Sequence, residues 1–503
     1  MTKKVRPDAF CGLLDPSAGM GTRWGRALEG IALFSTLGIA LLVVLQILDV
    51  QLGDWGVLWT VQVVLLTAAV VLLLFGTARL RCSGRTLLLV GMLVSLLLRL
   101  TFLLAVNTPP NSDFYVLNQA SWMLAQGDLS WTEQVYFQNW GYQIPFVAYQ
   151  ALVLKLIPSN WVLKALNLAF MVGSNFLIYK LGRLFVSENA AASAAALYAV
   201  YPGAIHMVSV LTNQHIGLFF LLLGLWLLLS RLTWPRMLLA GICLAAANLM
   251  RPEEAVVWAA ILCCGVCVLV RWPAKERAKR MALGLALALA VYVLAQAAAG
   301  LALRVSGIAP HGIGNNVPEW KFVVGLDAEN EYGDYTMENA HVLTIENDAE
   351  RERETWRVIR QSFRDCENVP GFFLSKVRAM WAWDESFHWS MGHLKRNAQP
   401  VPGVTVDMLM SGMLLVERGV YLGLWGLLAA AAVLLFRRPE RREKGIALVS
   451  AAVICAFFCV YLLIEVQPRY RYSVIPFLVV LSGGVVQRFL ALGGFSRSKK
   501  EKR

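Results

Sequence analysis

Apolar runs of about 18 residues or more, the length that marks a membrane-crossing helix, recur from end to end of this chain. A helix satisfies every backbone polar group within its own segment, so these runs leave few folds open. Hydrophobic residues make up 57% of the 503 positions, and the mean hydropathy of +0.56 excludes an ordinary soluble domain. Ten-residue alternating strands are missing from the sequence, which argues against a β-barrel. The expected fold class is an all-α polytopic membrane protein of about twelve transmembrane helices. They are expected near 27–49, 55–76, 86–106, 161–182, 189–208, 214–232, 236–251, 254–271, 281–303, 405–436, 444–464 and 473–493.

Charge orients this ladder. The chain carries a formal net charge of +13, and its cations sit in short clusters between spans rather than on a nucleic-acid-binding face. Arg79, Arg81 and Arg85 follow the second span; Lys180 and Arg183 follow the fourth. Arg231 and Arg236 follow the sixth, the Arg271–Arg280 run the eighth, RRPERREK the tenth, and SRSKKEKR ends the chain. All fall on one side if both termini are cytoplasmic in a cell (plasma) membrane. The run from Ala27 to Val50 is long enough to span and is read as retained. The segment Gly141 to Pro158 is apolar but interrupted by Pro145 and Lys155. Counting it as a span would invert every later cluster, so it is expected to lie along the outer surface as an interfacial helix.

Eight stretches follow: a cytoplasmic N-terminus (1–26), two N-terminal spans (27–85), span three (86–106) and a first outer loop (107–160). After these come a six-span membrane domain (161–303), a large outer loop (304–403), three C-terminal spans (404–493) and a basic cytoplasmic tail (494–503). The large outer loop is too long for an unstructured connector, so it is expected to cap the membrane domain, with helices near 350–362 and 371–383. Most of the nine cysteines lie in apolar runs, and Cys264 and Cys267 read as core packing rather than a metal or redox pair.

From Asn107 to Trp140 the first outer loop has no Lys or Arg, and its only charges are Asp113, Asp128 and Glu133. Asp113 stands in NSDFY, at the head of an amphipathic segment that stops at Gly127. Its bland role, shared with Ser112, is to cap that helix. Its other role is that of a carboxylate able to accept a proton from an incoming nucleophile. Arg469 and Arg471, in the short turn VQPRYRYS, run against the positive-inside bias and point to a specific anion, unless Glu465 pairs with them. Arg251 is a second candidate, with Glu253 or Glu254 as its competing partner. Arg99, inside span three, can either snorkel or touch a phosphate. Outer Trp residues, Trp389 among them, read mostly as an interfacial belt.

An Arg-bearing LLLRL ending a span, D-F-Y after it, and a helix closing at AQGD resemble the first outer loop of GT-C glycosyltransferases. That superfamily includes the protein O-mannosyltransferases and the aminoarabinose transferases of lipid A. Later stretches carry the resemblance on from about residue 86: YPGAIHMVSVLTNQHIG, NLMRPEE, VGLDAENEYGDYTMENA and VQPRYRYSVIPFL. The first two spans look like an addition to it. The resemblance implies inverting transfer of a sugar from a polyprenyl-phosphate donor to a glycan, lipid or protein acceptor on the extracytoplasmic face. It makes Asp113 the base and Arg469, Arg471, Arg251 and Arg99 the donor-phosphate ligands. Tyr115, Asn213, His206, Glu253, Tyr332 and Tyr470 are the substrate-binding candidates. Asp327, Glu329 and Tyr335 stand at the mouth or on plain surface. Asn213 occupies the place where many relatives carry a second acid, so no metal and no other cofactor is assigned. The competing function is a multispan transporter or flippase of an amphiphilic substrate; against it stand the long outer loops and the ionisable residues gathered at span ends.

Overall fold

The computed structural model describes residues 23–271, 276–330, 332–400, 402–437 and 443–500. The basic clusters expected at 1–22, 272–275, 438–442 and the chain's end lie wholly or partly outside them. Among the described residues every regular element is helical and no strand forms. Five helices are long and apolar enough to cross a membrane, or six if one bent pair counts as a span.

The chain opens with α1 (Arg23–Val50) and α2 (Gly56–Ala78), joined by a π-turn at Gln51–Trp55. A straight helix over the apolar 33–78 run would measure about 69 Å, more than twice a hydrocarbon layer of about 30 Å. Gly56, at φ 82°, breaks it. Gln51 and Trp55 donate to the Asp384 carboxylate, whereas Phe75 and Arg79 meet Phe489, far down the last helix. The run therefore folds back as a hairpin, both arms packing on Val406–Arg437.

Next come α3 (Gly84–Val106), α4 (Ser112–Ala125), α5 (Ile144–Leu156), α6 (Asn160–Gly182) and α7 (Glu188–Val200). The segment 141–158 forms a 3₁₀ turn and the 13-residue α5. Thirteen residues reach only about 20 Å, too short to cross. The span expected near 189–208 is instead bent by 63° at Tyr201, where Pro202 cannot donate to the helix ladder. Further on, α8 (Gln214–Ser230) and α9 (Trp234–Met250) each run 17 residues. They are followed by α10 (Glu254–Arg271) and the longer α11 (Glu276–Val305).

The segment after α11 folds as a cap containing α12 (Trp320–Gly325), α13 (Asp348–Asp365) and α14 (Val369–Val377). Three helices close the chain: α15 (Val406–Arg437), α16 (Glu443–Leu463) and α17 (Ile475–Lys500). α13 covers the helix expected at 350–362; that expected at 371–383 is α14 continued by a π-turn to Ala382.

Backbone contacts lock the cap down. Tyr142 donates its N–H to Gly314 and Asn316 its own to Asn139, so the two long connecting segments grip each other. Glu465 N–H bonds to Lys321 O at 3.1 Å, Val466 N–H to Gly333 O at 3.1 Å, and Lys376 Nζ to Ile464 O at 2.8 Å. Gly325 makes this docking possible: a Cβ there would sit 2.1 Å from the Ile464 carbonyl carbon. Gly325→Ala is expected to cost about 1–3 kcal/mol by overpacking, read as a lower apparent Tm in detergent and earlier proteolysis of the cap. An unchanged Tm would show the cap is not held at this point.

Candidate active site

Asp113 owes its position to the turn before α4. Lys164 Nζ, near the start of α6, bonds to Asn107 Oδ1 at 2.6 Å and Thr108 O at 2.7 Å. The Thr108 hydroxyl bonds to Ser390 O at 2.7 Å. Ser112 is held at φ 48°, a left-handed conformation that costs a non-glycine residue energy and needs tight surroundings. The expected capping does not occur: α4 has no side-chain cap bond. Asp113 stays exposed at the cleft, with no hydrogen bond or ion pair among the described residues.

The carboxylate lines a cleft of about 180 Å³ with side chains from six separate stretches of chain. α4 gives Asp113 and Phe114, and the following segment gives Tyr142 and Gln143. The start of α8 gives Asn213, the α9–α10 turn gives Arg251 and Glu253, and α12 gives Lys321. The α16–α17 turn supplies Glu465, Arg469 and Tyr470. Lys321 and Tyr142 carry no local signal in the sequence, where Glu465 reads only as a competitor for arginine.

Pairing sorts these charges. Lys321 forms an ion pair with Glu465, whose other oxygen accepts from the Tyr470 hydroxyl at 2.6 Å. Burial pushes the Glu465 carboxyl up, but the Lys321 ammonium and the Tyr470 hydroxyl outweigh it and hold the group below the ordinary range. Glu465 is thus an ionised, occupied acceptor. Arg251 pairs with Glu253 and reaches Asn213 Oδ1 at 3.4 Å, so the competing partner foreseen for it is present. Among the described residues that line the cleft, two charges remain: Asp113 and Arg469. The Arg469 guanidinium lies over the Trp389 ring at 4.1 Å and near Phe114 and Tyr470, each at 5.5 Å. It has no acidic partner among the described residues, and its Nε is buried and unbonded. Trp389 is therefore a cradle for a cation and not part of a lipid belt.

Burial and then the charge of Asp113 raise the phenol of Tyr335 above its ordinary value. That puts the Asp334–Tyr335 stretch of the cap within electrostatic reach of the acid.

Other expected site residues lie elsewhere. Arg99 is fully buried and gives its two terminal nitrogens to Ser95, Ala199 O and Tyr198 O, so it is a structural clamp between α3 and α7. Arg471 turns inward to Trp383 O at 2.8 Å and Glu385 at 3.2 Å. His206 is buried against Ser390, with Nδ1 3.0 Å from Oγ. Tyr115 is 52% exposed on the α4 surface away from the cleft. Tyr332 packs edge-on to Trp383. Asp327 is buried and accepts from Ser362 and Asn339, which makes it a brace of the cap.

No protein-family model matches the chain, and no curated protein matches it. The case for a function rests on the chemistry of the cleft. Among the described residues no group of three or more His, Cys, Asp or Glu side chains is arranged to hold a metal ion.

Proposed function

We propose that this protein is an inverting glycosyltransferase of the GT-C kind, with about twelve spans, that moves a sugar from a polyprenyl-phosphate donor to an acceptor on the extracytoplasmic face. One observation carries the reading: after pairing, the described residues of the cleft retain a single free carboxylate, Asp113, and a single free guanidinium, Arg469. Inverting displacement at an anomeric carbon needs a base on one side and stabilisation of a departing anion on the other.

In this mechanism the acceptor oxygen attacks the anomeric carbon from the face opposite the phosphate. Its proton passes to Asp113, the bond from carbon to phosphate oxygen breaks, and the electron pair leaves on the lipid phosphate beside Arg469. Stacking on Trp389 fixes the guanidinium without neutralising it, so its donors are available as charge develops. Asn213, Gln143 and Tyr142 line the same space and offer amide and phenol groups to sugar hydroxyls.

The test is to incubate purified protein with a panel of polyprenyl-phosphate sugars and follow the bare lipid phosphate. Donor-dependent release is the expected result. Passage of intact lipid-linked sugar across proteoliposomes, without release, would replace this reading with transport.

A further inference from the structure

A second candidate site lies at the corner where α13 turns into α14, apart from the cleft. A shallow, open groove of about 530 Å³ is lined there by residues of α13 alone: Trp356, Ile359, Arg360, Phe363 and Arg364. Trp356, Arg360 and Arg364 follow one another at single-turn spacing on one stripe, with Ile359 and Phe363 on the adjoining one. The opposite face of α13, with Arg351, Thr355, Val358 and Ser362, is buried in the cap. Two of the other three arginines of the same helix are paired, Arg351 with Glu319 and Asp348 and Arg357 with Glu354, while Arg353 bonds to Ala349 O of its own helix. Arg360 and Arg364 have no acidic partner among the described residues, so two like charges stand side by side. That arrangement is unfavourable without an anion between them.

The position of the groove says which anion. Phe363 stacks on Phe373 at 6.1 Å and meets Phe372 edge-on at 5.8 Å. One turn on, Lys376 is bonded to Ile464 O, the first residue past the apolar helix that ends at Leu463. Leu374 of the same turn is 45% exposed. The groove thus adjoins the level at which the apolar helix α16 gives way to the cap. At that level arginine stems run along apolar surface with their heads at phosphate, and tryptophan is favoured. We propose that this corner is a lipid-headgroup site: Arg360 and Arg364 bind the phosphodiester of an anionic phospholipid in the leaflet beneath the cap. Trp356 and Phe363 bed against its glycerol region. A soluble acidic polysaccharide would use the charges but not the aromatic lining continuous with the end of a span.

The experiment titrates full-length, detergent-purified protein with short-chain phosphatidylglycerol, phosphatidylcholine, glycerol phosphate and an acidic polysaccharide. Phosphatidylglycerol is expected to bind tightest, and Arg360→Gln with Arg364→Gln to weaken it about 30-fold. The matching double lysine variant keeps most of the affinity, which separates loss of charge from loss of fold. Equal phosphatidylglycerol affinity in wild type and the double glutamine variant would overturn the proposal. So would glycerol phosphate or the polysaccharide competing as well as the lipid.

Discussion

Asp113→Asn is expected to lower turnover by about 10²–10⁴-fold, the usual worth of a positioned general base, with donor affinity little changed. The amide has nearly the same shape and cannot take the acceptor's proton. Asp113 has no hydrogen bond or ion pair to lose among the described residues, and no capping bond depends on it. The substitution therefore removes chemistry without removing structure. The other cleft carboxylates are poor substitutes: Glu465 is bound to Lys321 and Tyr470, and Glu253 to Arg251 and Ser473. The measurement is release of lipid phosphate at saturating donor and acceptor, beside a donor-binding titration. Wild-type turnover in the asparagine variant would remove Asp113 from the mechanism.

Arg469→Gln is expected to lower turnover by about 10²–10³-fold, the cost of losing one preorganised charge at a developing anion. Donor binding weakens with it, because the phosphate is charged before the reaction as well as during it. Arg469→Lys recovers only part of the loss. A lysine ammonium lacks the flat guanidinium that stacks on Trp389 and the fork that meets two phosphate oxygens. The KM and kcat of the two variants, measured together, check this. An Arg469→Gln enzyme with unchanged donor KM would place the phosphate elsewhere.

Much of the cleft was legible in the sequence because its residues stand at ends of apolar runs. Asp113, Arg251 and Arg469 stand out from such positions, the resemblance adds Glu253, Asn213 and Tyr470, and all six line one cavity. What failed had physical reasons. Arg469 and Arg471 occupy a 3₁₀ turn, where residues two apart point about 240° from each other. Only one of the two can face the cleft, and periodicity alone does not say which. Arg99 looked free to snorkel, but its carbonyl partners belong to α7, a hundred positions away. Lys321 lies in a polar segment where a solvated lysine is unremarkable; its partner Glu465 is 144 positions distant. No local pattern carries that pairing. Gly325 and Gly333 were the nearest signals, since both let the cap's backbone come close to neighbouring chain.

A double-mutant cycle on lipid-phosphate release tests most directly whether the two free charges of the cleft act on one molecule. It compares Asp113→Asn, Arg469→Gln and the two combined at saturating donor. Groups that serve a single transition state are strongly non-additive. The account predicts that the double variant is little slower than the slower single variant. Losses that simply multiply, or a single variant that turns over at the wild-type rate, would contradict it.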